Sequence, residues 1–360
     1  MPLLEVCLID GNPISNYIGN ILKKPDAIVW LRTVRQKHVS SNIESVLSTQ
    51  MKVECENREV NQGDIQSFVK VCEDIIRDYP QYDIALNASG GTRIQALIAA
   101  EIFLSAGKEV FIIDTEHSRL IDLKTKESKS FHAALTVNEY IGLYGVKVLS
   151  GTRFDPEIGK RSGLTYFLGN NIEKVVPFID ELRIEWNEMG EKKQNKQWKL
   201  SNKFIKFTIT YDSEKDLMRF RYGQPENMKM YEMKENYYHY IFNGGWLREL
   251  VFLRVHRAQY DDVRLDVRLD RNALSLDPKA ETLIDIAMMR GCKFYVFQCF
   301  SYPVTRESFI ALNAITHTIK FLNAEGYIFV SHKPNRSFIE TAKDSGLRII
   351  SGKYIANFSI

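Results

Sequence analysis

Between residues 1 and 125, short apolar runs alternate with helical patterns, and that alternation leaves few folds open. The apolar runs cover 4–9, 27–31, 51–54, 83–86, 109–113 and 119–123. The helical patterns cover 13–21, 38–49, 62–78 and 92–106. Strands and helices taking turns in this way predict an α/β domain, a parallel sheet with helices on both faces. In such sheets ligands bind beyond the carboxyl ends of the strands. Three loops fall there: 10–13, 87–93 and 114–117.

Composition narrows the class further. At 44% hydrophobic and 26% charged residues, the 360-residue chain reads as a globular protein of two or three domains. A net charge of +3 is compatible with an anionic ligand or nucleic acid without pointing to either. The five cysteines (Cys7, Cys55, Cys72, Cys292, Cys299) never stand at C-x-x-C spacing. They read as reduced thiols of a cytoplasmic protein. The seven histidines do not cluster, so no zinc site is expected. The opening MPLLEVCLIDGNP lacks a basic n-region and reads as a first strand, not a signal peptide. No apolar stretch approaches the length of a membrane span.

Beyond the first domain the signals weaken. Residues 124–130 read as a polar linker, 135–143 and 172–189 as helices, and 191–199 as a charged, flexible stretch. Alternation over 204–211 and 217–222 predicts a hairpin, so 131–240 is expected as a helical and winged connector or a plain spacer. From 241 onward helix and strand mix again. Helices are expected over 245–255, 307–323 and 338–345, and strands over 263–269, 282–288, 293–298, 326–331 and 347–350.

The loop N-A-S-G-G-T-R, residues 87–93, is neither a dinucleotide fingerprint nor a P-loop. Gly90 and Gly91 let the backbone approach a ligand, and the N–H groups that open the following helix favour an anion. A turn in which glycine serves only geometry is the plainer alternative. The loop resembles the N-x-[ST]-G-G-T-[KR] signature of CARF domains, the cyclic oligoadenylate sensors of type III CRISPR defence. The resemblance extends over 1–125, through the loop with Pro13 to the FIIDTEH strand end. It implies a Rossmann-like domain over 1–130, a homodimer, and one cyclic RNA ligand across the twofold axis, with cyclic tetra-adenylate favoured. Carried over by position, Asn87, Ser89, Gly90, Gly91, Thr92 and Arg93 would contact the ligand. Asp10, Gly11, Asn12 and Pro13 would wall the pocket, with Thr115 and Glu116 as weaker candidates beside a solvated-loop reading.

The stretches NGGWLRELVFLRV, DDVRLDVRL, ETLIDIAMMRGCKFYVFQCF and GYIFVSHKPNRSFIETAKDSGLRII resemble the PD-(D/E)XK restriction-endonuclease-like domain of CARF-linked nucleases. That resemblance implies an α/β domain over 241–360 in which carboxylates hold one or two divalent metals and a Lys assists. Glu249 stands in the helix position, Asp285 in the strand position, and both would be metal ligands if the site is live. At the third motif Gln298-Cys299-Phe300 replaces E-C-K. Gln298 removes a charge from a hard-cation site. Phe300 offers no proton chemistry, and losing such a group costs about 10²–10⁴ in rate. The expectation is a degenerate catalytic set, Glu249, Asp285 and Gln298, in a chain that need not be an active enzyme. The alternative is a site rewired through Gln298 with Glu281, Asp277 or Asp266, using Mg or Mn to cut DNA or RNA. A ligand-responsive transcription regulator working through the connector is the third reading.

Two surface patterns have ordinary alternatives. Arg248, Arg254, Arg257, Arg264, Arg268 and Arg271 alternate with Asp261, Asp262, Asp266 and Asp270, as a mixed surface does. The aromatic run Tyr237, Tyr238, Tyr240, Phe242 and Trp246 has a packing or dimer-seam spacing as well as a base-stacking composition.

Overall fold

The computed structural model describes residues 1–61, 63–153, 155–191, 193–256, 260–270 and 283–359. Arg257, Arg271, Asp277, Glu281 and the starts of the helix expected at 62 and the strand expected at 282 lie outside the described residues. The chain divides into two compact units. Among the described residues, the first takes in 1–149 with 269–270 and 289–294, and the second 150–268 with 283–288 and 295–359.

The first unit is built on a seven-stranded sheet. Its strands are β1 Leu3–Leu8, β2 Ala27–Arg32, β3 Glu54–Glu59, β4 Asp83–Asn87, β5 Glu109–Asp114, β6 Arg119–Asp122 and β7 Ser128–Ser130, in the order β3-β2-β1-β4-β5-β6-β7. β1 to β5 pair in parallel, and β6 and β7 close the edge antiparallel. Helices α1 Ile14–Lys23, α2 Lys37–Leu47, α3 Ile65–Asp78 and α4 Arg93–Ser105 connect the strands, and α5 Val137–Leu143 follows. Central strands β1, β2 and β4 are apolar almost throughout, because a parallel sheet is covered on both faces. Chain order reverses at β1: β2 lies on one side and β4 on the other. The crevice beyond the ends of β1 and β4 is therefore a topological switch point, where open α/β sheets bind ligands.

Two expectations are corrected here. The third strand is Glu54–Glu59, not 51–54, because the amides of Gln50 and Met51 still bond back to Leu47 at the end of α2. The stretch 124–130 ends in β7, which pairs with β6 and is exposed along its length. All five cysteines are free thiols.

The second unit holds helices α6 Pro156–Asn170 and α7 Ile172–Glu188 and a four-stranded antiparallel sheet, order β12-β11-β10-β9. Those strands are β9 Lys196–Ser201, β10 Lys206–Asp212, β11 Leu217–Gln224 and β12 Asn227–Met233. The hairpin expected from alternation is β10–β11, with Ile209 opposite Phe220. The stretch expected to be flexible contains β9, whose Trp198 turns inward opposite Ile209 while its lysines face out. Helix α8 Gly245–Val255 follows. A six-stranded sheet, order β17-β16-β15-β14-β13-β8, takes in β8 Val148–Thr152, β13 Asp262–Leu269, β14 Leu283–Arg290, β15 Lys293–Phe300, β16 Glu325–Val330 and β17 Arg348–Ser351. Helices Arg306–Phe321 and Arg336–Asp344 separate β15, β16 and β17, which pair in parallel. One apolar core gathers α6, α7, the antiparallel sheet and α8, and it includes Tyr240, Phe242 and Trp246 from the aromatic run.

Candidate functional site

The glycine loop lies at the switch point because three side chains tie it there. Asn87 ends β4 fully buried. Its amide nitrogen donates to Glu5 Oε1 (3.1 Å), and its carbonyl oxygen accepts from the Ser89 hydroxyl (2.6 Å) and amide (3.2 Å). The Ser89 hydroxyl in turn accepts from the Ile113 amide of β5 (2.7 Å). Asn87 and Ser89 therefore fasten the loop from beneath. Gly90 passes so close to β1 that a Cβ there would sit 2.0 Å from the Leu8 carbonyl oxygen. Gly91 holds φ at +75°, a region that favours glycine.

Thr92 caps α4. Its hydroxyl accepts from the Gln95 amide, and the Gln95 side chain accepts from the Thr92 amide. Arg93, the next residue, is exposed and makes no hydrogen bond or ion pair among the described residues. The facing loop is a tight turn: Asp10 accepts from the Asn12 amide (2.8 Å), and Asn12 accepts from the Ile14 amide (3.2 Å). Burial raises the Asp10 carboxyl above its ordinary range, against the Asn12 amide. Gly11 is exposed, and Pro13 caps α1. Thr115 is half-buried and Glu116 exposed, beside Asp114, which the Arg119 guanidinium and then His117 hold down at about 2. What the crevice offers a ligand is thus the open amino end of α4, the Gly11 and Gly91 backbone, and the Arg93 charge. That is a place for an anion.

Residues 4–140 match the family model of the Card1 CARF domain. The N-terminal segment is a CARF domain. Among curated proteins none matches the chain. Solved structures share its fold. Can2 from Sulfobacillus thermosulfidooxidans, in complex with cyclic tetra-adenylate, aligns over 99% of this chain and 96% of its own at 16% identity, TM-score 0.73. Protein VC1899 from Vibrio cholerae aligns over 99% and 95% at 17% identity, TM-score 0.76. A type III CRISPR defence DNA nuclease activated by cyclic oligoadenylate aligns over 91% and 45% at 12% identity, TM-score 0.55.

Two parts of the CARF domain carry no signal in the loop motif. Glu5 lies fully buried in β1 under the loop, where burial pushes its carboxyl up to about 7 against hydrogen bonds from Asn20 and Asn87. A lone carboxylate inside the apolar LLEVCL strand was its available sign. A cavity of about 460 Å³ also opens beyond the ends of β2 and β3, lined by Thr33, Arg35, Glu59 and Asn61 among others. The rule that ligands lie at strand ends covers that loop too.

In the second unit, Glu249 is buried on α8 and gripped by Arg161 of α6. The guanidinium Nε lies 3.0 and 2.9 Å from the two carboxylate oxygens, and Nη2 lies 2.5 Å from Oε1. Burial raises the Glu249 carboxyl and Arg161 opposes it; the two-pronged geometry keeps both groups ionised. Beside them, Arg248 Nη1 donates to Asp266 (2.5 Å) and Nη2 to His239 Nε2 (2.9 Å). Burial, then Arg248, holds His239 below its ordinary value, so it accepts as a neutral ring. Asp266 stands at φ +54° inside β13, a strained position of the kind that collects at functional sites. These residues line a polar cavity of about 240 Å³.

Asp285 is buried on β14 and accepts from the Cys299 amide of β15 (2.7 Å). Gln298 leaves its side-chain oxygen buried without a partner among the described residues. Phe300 is half-buried and packs edge-on against Phe338 at 5.7 Å. Glu249 is thus held by Arg161, and Asp285 by the Cys299 amide. Among the described residues no three His, Cys, Asp or Glu side chains group as ligands. Glu249 already neutralises a guanidinium. Nothing in the sequence pairs Arg161 with Glu249, which stands 88 residues away. Of the arginines expected as a mixed surface, Arg248 and Arg264 pair with Asp266 and Asp262. Among the described residues, no helix is long and apolar enough to cross a membrane.

Proposed function

We propose that the chain is a homodimeric sensor of a cyclic oligoadenylate, tetra-adenylate favoured, coupled to a degenerate PD-(D/E)XK nuclease-like domain. The observation that carries the reading is the tied-down glycine loop at the switch point of a CARF domain. The amino end of α4 and Arg93 supply positive potential for backbone phosphates. A ring of repeating units has its own twofold symmetry, which suits a pocket made by two identical chains. The exposed Ile94 and Leu97 on α4, 59% and 72% accessible, support a partner surface next to the loop. The neighbouring fold holds cyclic tetra-adenylate in Can2, which favours that ring size here.

The division into sensor 1–130, connector 131–240 and nuclease-like part 241–360 belongs to this proposal. The output half is read as non-cutting because Arg161 neutralises Glu249, Gln298 carries no charge and Phe300 has no base. In a thermal unfolding series, cyclic tetra-adenylate should raise the midpoint of the wild type and move that of Arg93→Ala much less. No shift in the wild type would sink the sensor reading. Labelled DNA and RNA should stay intact with ligand and Mn²⁺.

A live metal-dependent nuclease is the second reading, and one atom favours it: the Gln298 oxygen, a buried acceptor without a partner among the described residues. It predicts Mn²⁺-dependent cutting that Asp285→Ala abolishes.

A further inference from the structure

A cleft of about 580 Å³ opens in the second unit between α6, residues 204–205 and the β11–β12 hairpin of the antiparallel sheet. The size suits a small organic ligand. Its floor is aromatic: Phe167 and Tyr222 lie 5.4 Å apart, and Tyr222 is almost fully buried. At the rim Phe204 stands 66% accessible, with Lys174 and Lys203 ammonium groups 5.8 and 6.0 Å from its ring centre. An aromatic ring left in solvent and flanked by cations is an available stacking face.

The polar lining is amide-rich. Gln224, Asn227 and Lys229 make no side-chain hydrogen bond or ion pair among the described residues. Amides donate and accept side by side, as the edges of nucleobases do. Gly163 is a second, independent sign. Glycine inside a helix weakens it, yet α6 keeps one where a Cβ would come to 3.0 Å from the Tyr222 hydroxyl. The missing side chain keeps the slot open.

We propose that this cleft binds a nucleobase, stacked against its aromatic walls, edge-read by the free amides, with the attached phosphate near Lys229. The base can come from a free nucleotide or from an unpaired position of a nucleic-acid strand. The site is separate from the glycine loop, so it stands or falls independently of the sensor reading.

The test is fluorescence anisotropy of the full-length protein with short labelled poly-A and poly-U RNA and poly-T DNA, repeated with adenosine monophosphate as competitor. Binding weakened about tenfold or more by Phe204→Ala with Lys229→Ala, and by Gly163→Leu, is the expected result. Competition by the mononucleotide at low concentration assigns the site to free nucleotides. Strand binding without it assigns the site to unpaired strands. No binding to any probe overturns the proposal, as does binding that none of the substitutions weakens. Phe204 and Lys229 are exposed, so their double variant should keep the wild-type unfolding midpoint.

Discussion

Glu5 illustrates how much a single residue can reveal. Its carboxyl is fully buried, bonded to the Asn87 amide that anchors the glycine loop, and raised from 4.5 to about 7 by burial. A carboxyl raised on folding stabilises the protein fully below its unfolded value, near 4.5. That contribution is lost as the pH climbs to about 7, by on the order of 3 kcal/mol. Urea unfolding of wild type and Glu5→Gln at pH 5 and pH 8 checks this. The wild type should lose stability relative to the variant as pH rises; parallel profiles would contradict it. Arg161 and Glu249 make the opposite case, two charges that need each other. Arg161→Ala strands a buried carboxylate and should cost about 3–5 kcal/mol in urea unfolding, whereas Arg161→Met with Glu249→Leu should cost far less. A loss below about 1 kcal/mol in the single variant would mean the pair is solvated.

At the level of elements, the helix α4 is held by its start. Thr92→Ala removes the cap and should lower stability by about 1 kcal/mol while ligand binding persists. Gly90→Ala drives a methyl group into the Leu8 carbonyl and should cost both stability and binding. Equal, small effects of the two changes on a binding titration would contradict the loop geometry. The elements legible in the sequence are those whose burial writes a pattern. β1, β2 and β4 are buried on both faces, and β10–β11 alternate cleanly. The elements that escaped are edges and glycine-rich helices. β3, β7 and β9 lie at sheet edges, where exposed charge replaces apolar alternation. α6 carries Gly159, Gly163 and Gly169, which blur its helical period, although Asp155 followed by Pro156 marks its start. The ligand loop was readable because its chemistry is local. The Arg161–Glu249 pair was not, because it depends on how α6 and α8 pack.

Across the whole molecule, a CARF domain and a unit sharing its fold with Can2 stand in one chain, and the central claim is that the first takes a cyclic oligoadenylate. On the proposed reading, the second unit has traded a metal's positive charge for guanidinium groups, with Arg161 on Glu249 and Arg248 on Asp266. If that trade is the whole difference, Gln298→Glu with Phe300→Lys and Arg161→Ala should bring back Mn²⁺-dependent cutting in a gel assay. A folded triple variant that still cuts nothing would place the block elsewhere. The measurement that bears most directly on the account is calorimetric titration of the purified protein with cyclic tetra-adenylate and cyclic hexa-adenylate, beside Arg93→Ala. The account predicts tight binding of one ring per two chains, strongest for the tetra-adenylate and weakened at least about tenfold by the substitution, roughly 1.4 kcal/mol. Heat-silent titrations with both rings, together with no displacement of a labelled ring, would contradict it.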